Sequence, residues 1–172
     1  MLKLILSPVT CTLIAIGIAA PTQVLAAPQD VTVRCVRKIE RFEPLYKNDA
    51  AGRLAYISSA ACNYKEVVGT GLFDGVHSTA TGFTDLTNGR GETRGITVAE
   101  KDGDSYRVEW LGRCYPVGRS SNGDIVRCTG VWSLIEGSGV GKFAGLRGGG
   151  YWHMQMTADG GLDTAATGVY DK

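Results

Sequence analysis

The sequence predicts an all-β fold, a single antiparallel up-and-down β-barrel of about eight strands stapled by two disulfides. Three observations carry that expectation. Thr, Val, Tyr and Trp recur in short runs punctuated by Gly, Asn and Asp, and 24 of the 172 residues are glycine. No segment beyond residue 26 shows convincing 3.6-residue apolar periodicity. Cys35, Cys62, Cys114 and Cys128 form an even set in a chain that carries the marks of export. A closed sheet suits such a chain because it leaves no unpaired edge strand.

The chain opens with Met1 and Lys3, an apolar stretch over residues 4–20, and the small-residue site Val24-Leu25-Ala26, the three parts of a signal peptide. Residues 1–26 are therefore read as the signal, and residues 27–172 as one β domain. The alternative is an uncleaved anchor. Ser7, Pro8, Thr10 and Thr12 interrupt the run, which falls short of the ~20 predominantly apolar residues of a membrane span. Cys11 stands in Pro-Val-Thr-Cys, without the small residues that precede a lipidated cysteine. The reading places the protein in the periplasm or outside the cell, with no membrane span in the mature chain.

The whole chain has 18 basic and 17 acidic residues, and Lys3 leaves with the signal, so the mature net charge is zero. Nucleic acid is excluded as a partner on that ground, since phosphate binding needs a basic surface. Nothing in the sequence calls for a cofactor, and protein partners are not indicated.

Taken in order, strands are expected near residues 31–42, 63–68, 72–85, 94–101, 105–116, 124–136, 148–157 and 163–170. Residues 46–61 (YKNDAAGRLAYISSAA) are the least legible part and have room for a helical turn. A hairpin is read at Asp102-Gly103-Asp104. Pairing Lys101 with Ser105 there sets Ile96 opposite Trp110 and Val98 opposite Val108.

The next hairpin, turning over residues 119–124, permits a stronger argument. Side chains along a strand alternate faces, and directly opposed residues across an antiparallel pair share a face. Placing Cys114 opposite Cys128 brings Gly112 opposite Gly130, Trp110 opposite Trp132, and Val108 opposite Leu134. The other face then collects Arg107, Glu109 and Arg113 beside Arg127, Thr129 and Ser133. One assumed disulfide thus separates apolar from polar residues. Cys114–Cys128 is the expected bridge, and Cys35–Cys62 follows by elimination.

Segment 130–150, GVWSLIEGSGVGKFAGLRGGG, combines a Trp strand, a Gly-rich turn with Lys-Phe-Ala-Gly, and a Gly-rich strand start. It resembles a pattern of small secreted bacterial β-barrels grouped with the calycin-type, allene oxide cyclase barrel-like fold, strongly over about 20 residues and loosely over the last 80. The resemblance implies a barrel; physically, the glycines of this segment allow tight turns and close strand approach, and Phe143 can plug the barrel end beneath them. The plant enzymes of that fold cyclise a fatty-acid epoxide in an apolar cavity, but their catalytic residues match no positions here. A weaker likeness links residues 68–75 (VGTGLFDG) with 140–145 (VGKFAG). Either a duplication or two independent Gly-rich turns carrying a Phe accounts for it.

Three constellations bear on chemistry. The inner-face register sets Tyr106 between Glu100 and Glu136, two carboxylates flanking a phenol. At the edge of an apolar pocket such a group can act as general acid and base, while at a solvated rim it does nothing. Trp110, Trp132, Val108, Leu134, Trp152 and Met154 either line a cavity for a small apolar ligand or fill the interior. His77 and His153, the two histidines, fall in different strands, so no metal site is assigned. Residues 137–142 (GSGVGK) lack the spacing, the hydroxyl residue and the helix of a phosphate loop.

Three functions of different kinds fit: a binding barrel for a small apolar molecule, a filled structural or interaction protein of the cell envelope, and a cyclase or isomerase. They differ in whether the interior is hollow, and in whether Glu100, Tyr106 and Glu136 converge on it.

Overall fold

The computed structural model describes residues 27–172 apart from 49, 121, 122 and 158, so residues 1–26, which the sequence reads as a signal, lie with Cys11 outside the described residues. The strands are β1 (Gln29–Asn48), β2 (Arg53–Asn63), β3 (Lys65–Val68), β4 (His77–Thr87), β5 (Arg90–Lys101), β6 (Asp104–Ser120), β7 (Gly123–Leu134), β8 (Arg147–Met156) and β9 (Leu162–Asp171). A 3-10 turn, Gly141–Phe143, precedes β8. Among the described residues no helix is long and apolar enough to cross a membrane.

All nine strands belong to one antiparallel sheet, in the order β2-β4-β5-β6-β7-β8-β9-β1-β3, and a further pairing of β1 with β2 closes it into a ring. β1 makes the closure. Its residues 29–37 pair with β9 and its residues 38–48 with β2. β3 continues the course of β2 beyond Tyr64 and pairs with β1 at Thr32, Val33 and Arg34.

The register inferred for β6 and β7 is the one observed: Cys114 faces Cys128, Gly112 faces Gly130, Trp110 faces Trp132 and Val108 faces Leu134. Both disulfides form as expected, Cys114–Cys128 with its Cα atoms 4.0 Å apart and Cys35–Cys62 with its Cα atoms 6.0 Å apart.

The preceding hairpin differs from expectation by one residue. Lys101 pairs with Asp104, not Ser105, so Gly95 faces Trp110 and Thr97 faces Val108. Asp102 and Gly103 both have positive φ, 57° and 87°. That is the two-residue Asp-Gly turn that matches the twist of paired strands. Because side chains alternate, the one-residue change inverts the whole strand. Ile96 and Val98 face outward, 47% and 38% exposed, while Thr93, Thr97 and Ala99 turn inward.

Asn88-Gly89 makes a second turn of the same kind, with φ of 53° and 73°. β4 and β5 therefore run on to Thr87 and from Arg90, where the sequence reading left residues 86–93 unassigned. Among the described residues of 46–61 there is no helix: they hold the end of β1, a turn and most of β2.

Two loops plug one end of the ring. Residues 69–76 carry Phe73 and Val76, and residues 137–146 carry Phe143 and Leu146, all of them buried. Each loop closes the same backbone turn, Val76 N–H donating to Phe73 O and Leu146 N–H to Phe143 O, both at 3.2 Å. Phe73 and Phe143 stack at 6.2 Å, and Tyr106 and Tyr170 pack against Phe73 edge-on. The two similar segments of the sequence are thus one device used twice at one end of the molecule.

Candidate functional site

Above the plug the ring encloses a cavity of about 600 Å³. Its wall includes Val108, Trp110, Trp132, Leu134, Trp152 and Met154, and it reaches the far hairpins at Gly52, Asn88 and Gly89. All six apolar residues singled out in the sequence lie on this wall.

Three tryptophans fit inside the ring without filling it because glycines receive them. One cross-section reads, strand by strand, Ser58, Gly82, Gly95, Trp110, Trp132, Gly150, Gly168 and Val31. The two indoles lean apart. A Cβ added at Gly95 would lie 2.5 Å from Trp110 Cζ2, and one added at Gly168 would lie 2.7 Å from Trp132 Cζ2, closer than any side chain tolerates. One cross-section further from the plug, Trp152 lies over Gly112 in the same manner, 2.6 Å from an added Cβ there.

Hydrogen bonds fasten two of the three rings to the wall. Trp132 Nε1 donates to Tyr151 O at 3.2 Å and Thr167 O at 3.3 Å, and Trp152 Nε1 donates to Val131 O at 3.1 Å. Trp110 meets Trp152 edge to face at 5.7 Å. The indole N–H groups of Trp132 and Trp152, which need partners inside an apolar space, find them in the backbone.

The polar part of the wall was not foreseen. Arg37 is only 7% exposed and lines the cavity. Its guanidinium donates to Ser78 Oγ at 3.2 Å, Tyr64 Oη at 3.3 Å and Ala60 O at 3.4 Å. It also lies 5.8 Å from the Tyr64 ring centre. None of these partners is charged. Further along, Thr84 and Thr93 join hydroxyls at 2.8 Å. Burial pushes the Tyr56 phenol up, an effect that the Thr84 hydroxyl opposes.

Glu100, Tyr106 and Glu136 do not converge. Glu100 is exposed and pairs with Ser105 and His77 on the outer face, a consequence of the inverted β5 register. Glu136 follows the end of β7, stands in solvent and reaches Arg147 at 3.5 Å. Tyr106 alone faces inward, 3% exposed. Burial holds its phenol well above the ordinary value, Tyr64 and Glu66 add to the shift, and Arg37 opposes it. Tyr106 is therefore a neutral hydrogen-bond donor and not a base at ordinary pH.

His77 and His153 are both exposed, on β4 and β8. His77 Nδ1 meets Asn63 Oδ1 at 3.0 Å. Among the described residues no three metal-binding side chains cluster.

The chain matches no protein-family model and no curated protein.

Proposed function

We propose that the protein is a calycin-type β-barrel, secreted or periplasmic after loss of residues 1–26, that takes a small, mainly apolar molecule into its interior. The observation that carries this reading is the cavity of about 600 Å³ walled by Trp110, Trp132, Trp152 and Met154. Ligand sites have volumes of about 300–1,000 Å³ and walls of apolar and aromatic side chains with a few placed polar groups. Indoles fastened to the backbone over glycines keep the space open, and the plug of Phe73 and Phe143 closes one end of it. The two disulfides suit an oxidising compartment. The likeness of segment 130–150 to the allene oxide cyclase barrel-like proteins supports the same architecture. Catalysis is not part of the proposal, because Glu100 and Glu136 stand in solvent.

The test is a titration of residues 27–172 with small apolar compounds, followed by tryptophan fluorescence and repeated with Trp110→Phe and Trp132→Phe. Saturable binding, weakened about 5-fold or more by either substitution as an aromatic contact is lost, is the expected result. Absence of saturable binding across the series overturns the reading.

A second reading, an interaction surface on the outer wall, is favoured by one row of residues. Leu111, Val131 and Tyr151 are register partners on β6, β7 and β8 and are 62%, 42% and 75% exposed.

A further inference from the structure

The plugged end of the cavity holds a cation without an anion. Arg37 is at least nine-tenths buried, yet all three of its hydrogen bonds go to neutral oxygens. Among the described residues no carboxylate pairs with it. The nearby acid is Glu66, whose effect is felt at Tyr106. Its carboxylate is already taken by the N–H groups of Gly71 at 2.7 Å and Phe73 at 2.6 Å. A charge withdrawn from water is costly unless paired. Such a guanidinium is poised to accept an oxyanion, for which its planar donor fork is well shaped.

A second group points the same way. Tyr106 lines the cavity with Arg37 and is 3% exposed, but its hydroxyl makes no hydrogen bond among the described residues. No fully enclosed side-chain oxygen or nitrogen there lacks a partner. The Tyr106 hydroxyl therefore opens onto the cavity itself. Its register neighbours across the strands are Ala99 and, one strand further, Ser78, the hydroxyl that Arg37 also holds. Tyr106 stays protonated, so it offers a donor to whatever lies beside the guanidinium.

We propose that Arg37 and Tyr106 form a carboxylate site at the floor of the cavity, so that the ligand is an amphipathic carboxylic acid, its acid group at the plug and its apolar body along the tryptophan wall. This rests on the ligand-binding reading above and specifies the ligand class. The tail follows from the wall: beyond Arg37 and Tyr106 the lining turns to Val108, Leu134, Trp110 and Trp132. A free inorganic anion fits poorly, because most of the cavity would then hold nothing.

The experiment compares dodecanoate, 1-dodecanol and dodecylamine on the chain 27–172 at pH 8, with Tyr106→Phe and Arg37→Gln alongside. Dodecanoate should bind at least ~10-fold more tightly than dodecanol, and dodecylamine most weakly, the scale of a charge-assisted hydrogen bond. Tyr106→Phe deletes a hydroxyl that has no partner, so the variant should fold as before. It should lose several-fold in dodecanoate affinity and nothing in dodecanol affinity. Arg37→Gln should abolish the preference for the acid. Equal affinity for acid and alcohol, or equal loss of both in Tyr106→Phe, overturns the carboxylate site and leaves the apolar cavity standing. Failure of all three compounds to bind overturns both.

Discussion

Arg37 and Tyr106 show what a single side chain can report about an interior. Val31, Val33, Cys35 and Arg37 alternate along β1 and so share one face, and the inward disulfide of Cys35 settles which face that is. The burial of Arg37 was therefore legible, given the phase of the cysteine, but a lone arginine in a strand reads first as an outward charge. Tyr106 was read as inward, correctly, and its proposed acid neighbours were not. The raised phenol of Tyr106 also sets a pH dependence. A tyrosine whose native pKa exceeds its unfolded value gives its full stability below the unfolded pKa, about 10, and loses it as pH rises toward the native pKa. The melting temperature should consequently fall as pH is raised above about 10, and less steeply in Tyr106→Phe than in the wild type. Identical alkaline slopes for the two proteins, measured by thermal denaturation from pH 8 to 11, would rule this out.

At the scale of elements, turn chemistry decided where the sequence reading succeeded. The β6–β7 hairpin was placed correctly because a disulfide and a run of apolar pairs agreed on one register. The β5 strand was inverted because Asp102-Gly103 was treated as part of a three-residue turn. Two positive-φ residues in a two-residue turn are the stronger hairpin signal, and Asn88-Gly89 carried the same signal unused. Residues 46–61 stayed illegible since their apolar residues are interrupted by Gly52 and followed by Ser58, Ser59, Ala60 and Ala61, residues of weak strand preference that fit only where β2 is paired on both sides. The Cys114–Cys128 bridge spans 14 residues. Removing it with Cys114→Ser should cost about 3 kcal/mol, which lowers the melting temperature of a domain this size by roughly 6–12 °C. A calorimetric scan of the oxidised variant showing no decrease would place the constraint elsewhere, in the packing of Leu86, Trp152 and Met154 around that bridge.

On the scale of the whole molecule the open question in the sequence was whether three tryptophans fill the ring or line it. Composition cannot answer, because the same indoles do either. The glycines facing them decide: Gly82 and Gly95 beside Trp110, Gly168 beside Trp132, and Gly112 beneath Trp152 let each ring lie against the wall. The sequence register sets only Gly112 opposite Gly130, and the relation of the glycines to the indoles emerges once the register of six strands is joined. Closing the ring also depends on β1 changing partner at residues 37 and 38, from β9 to β2. That exchange brings Arg37 across to Ser78 and Tyr64, so the closure of the sheet and the polar floor of the cavity have one origin.

The most direct measurement of the central claim is a crystal of residues 27–172 exposed to xenon under pressure, since apolar cavities take up xenon where packed interiors do not. The account predicts xenon inside the ring, bounded by Trp110, Trp132, Trp152 and Met154. An interior closed by those same side chains, with xenon absent from it, would contradict the account.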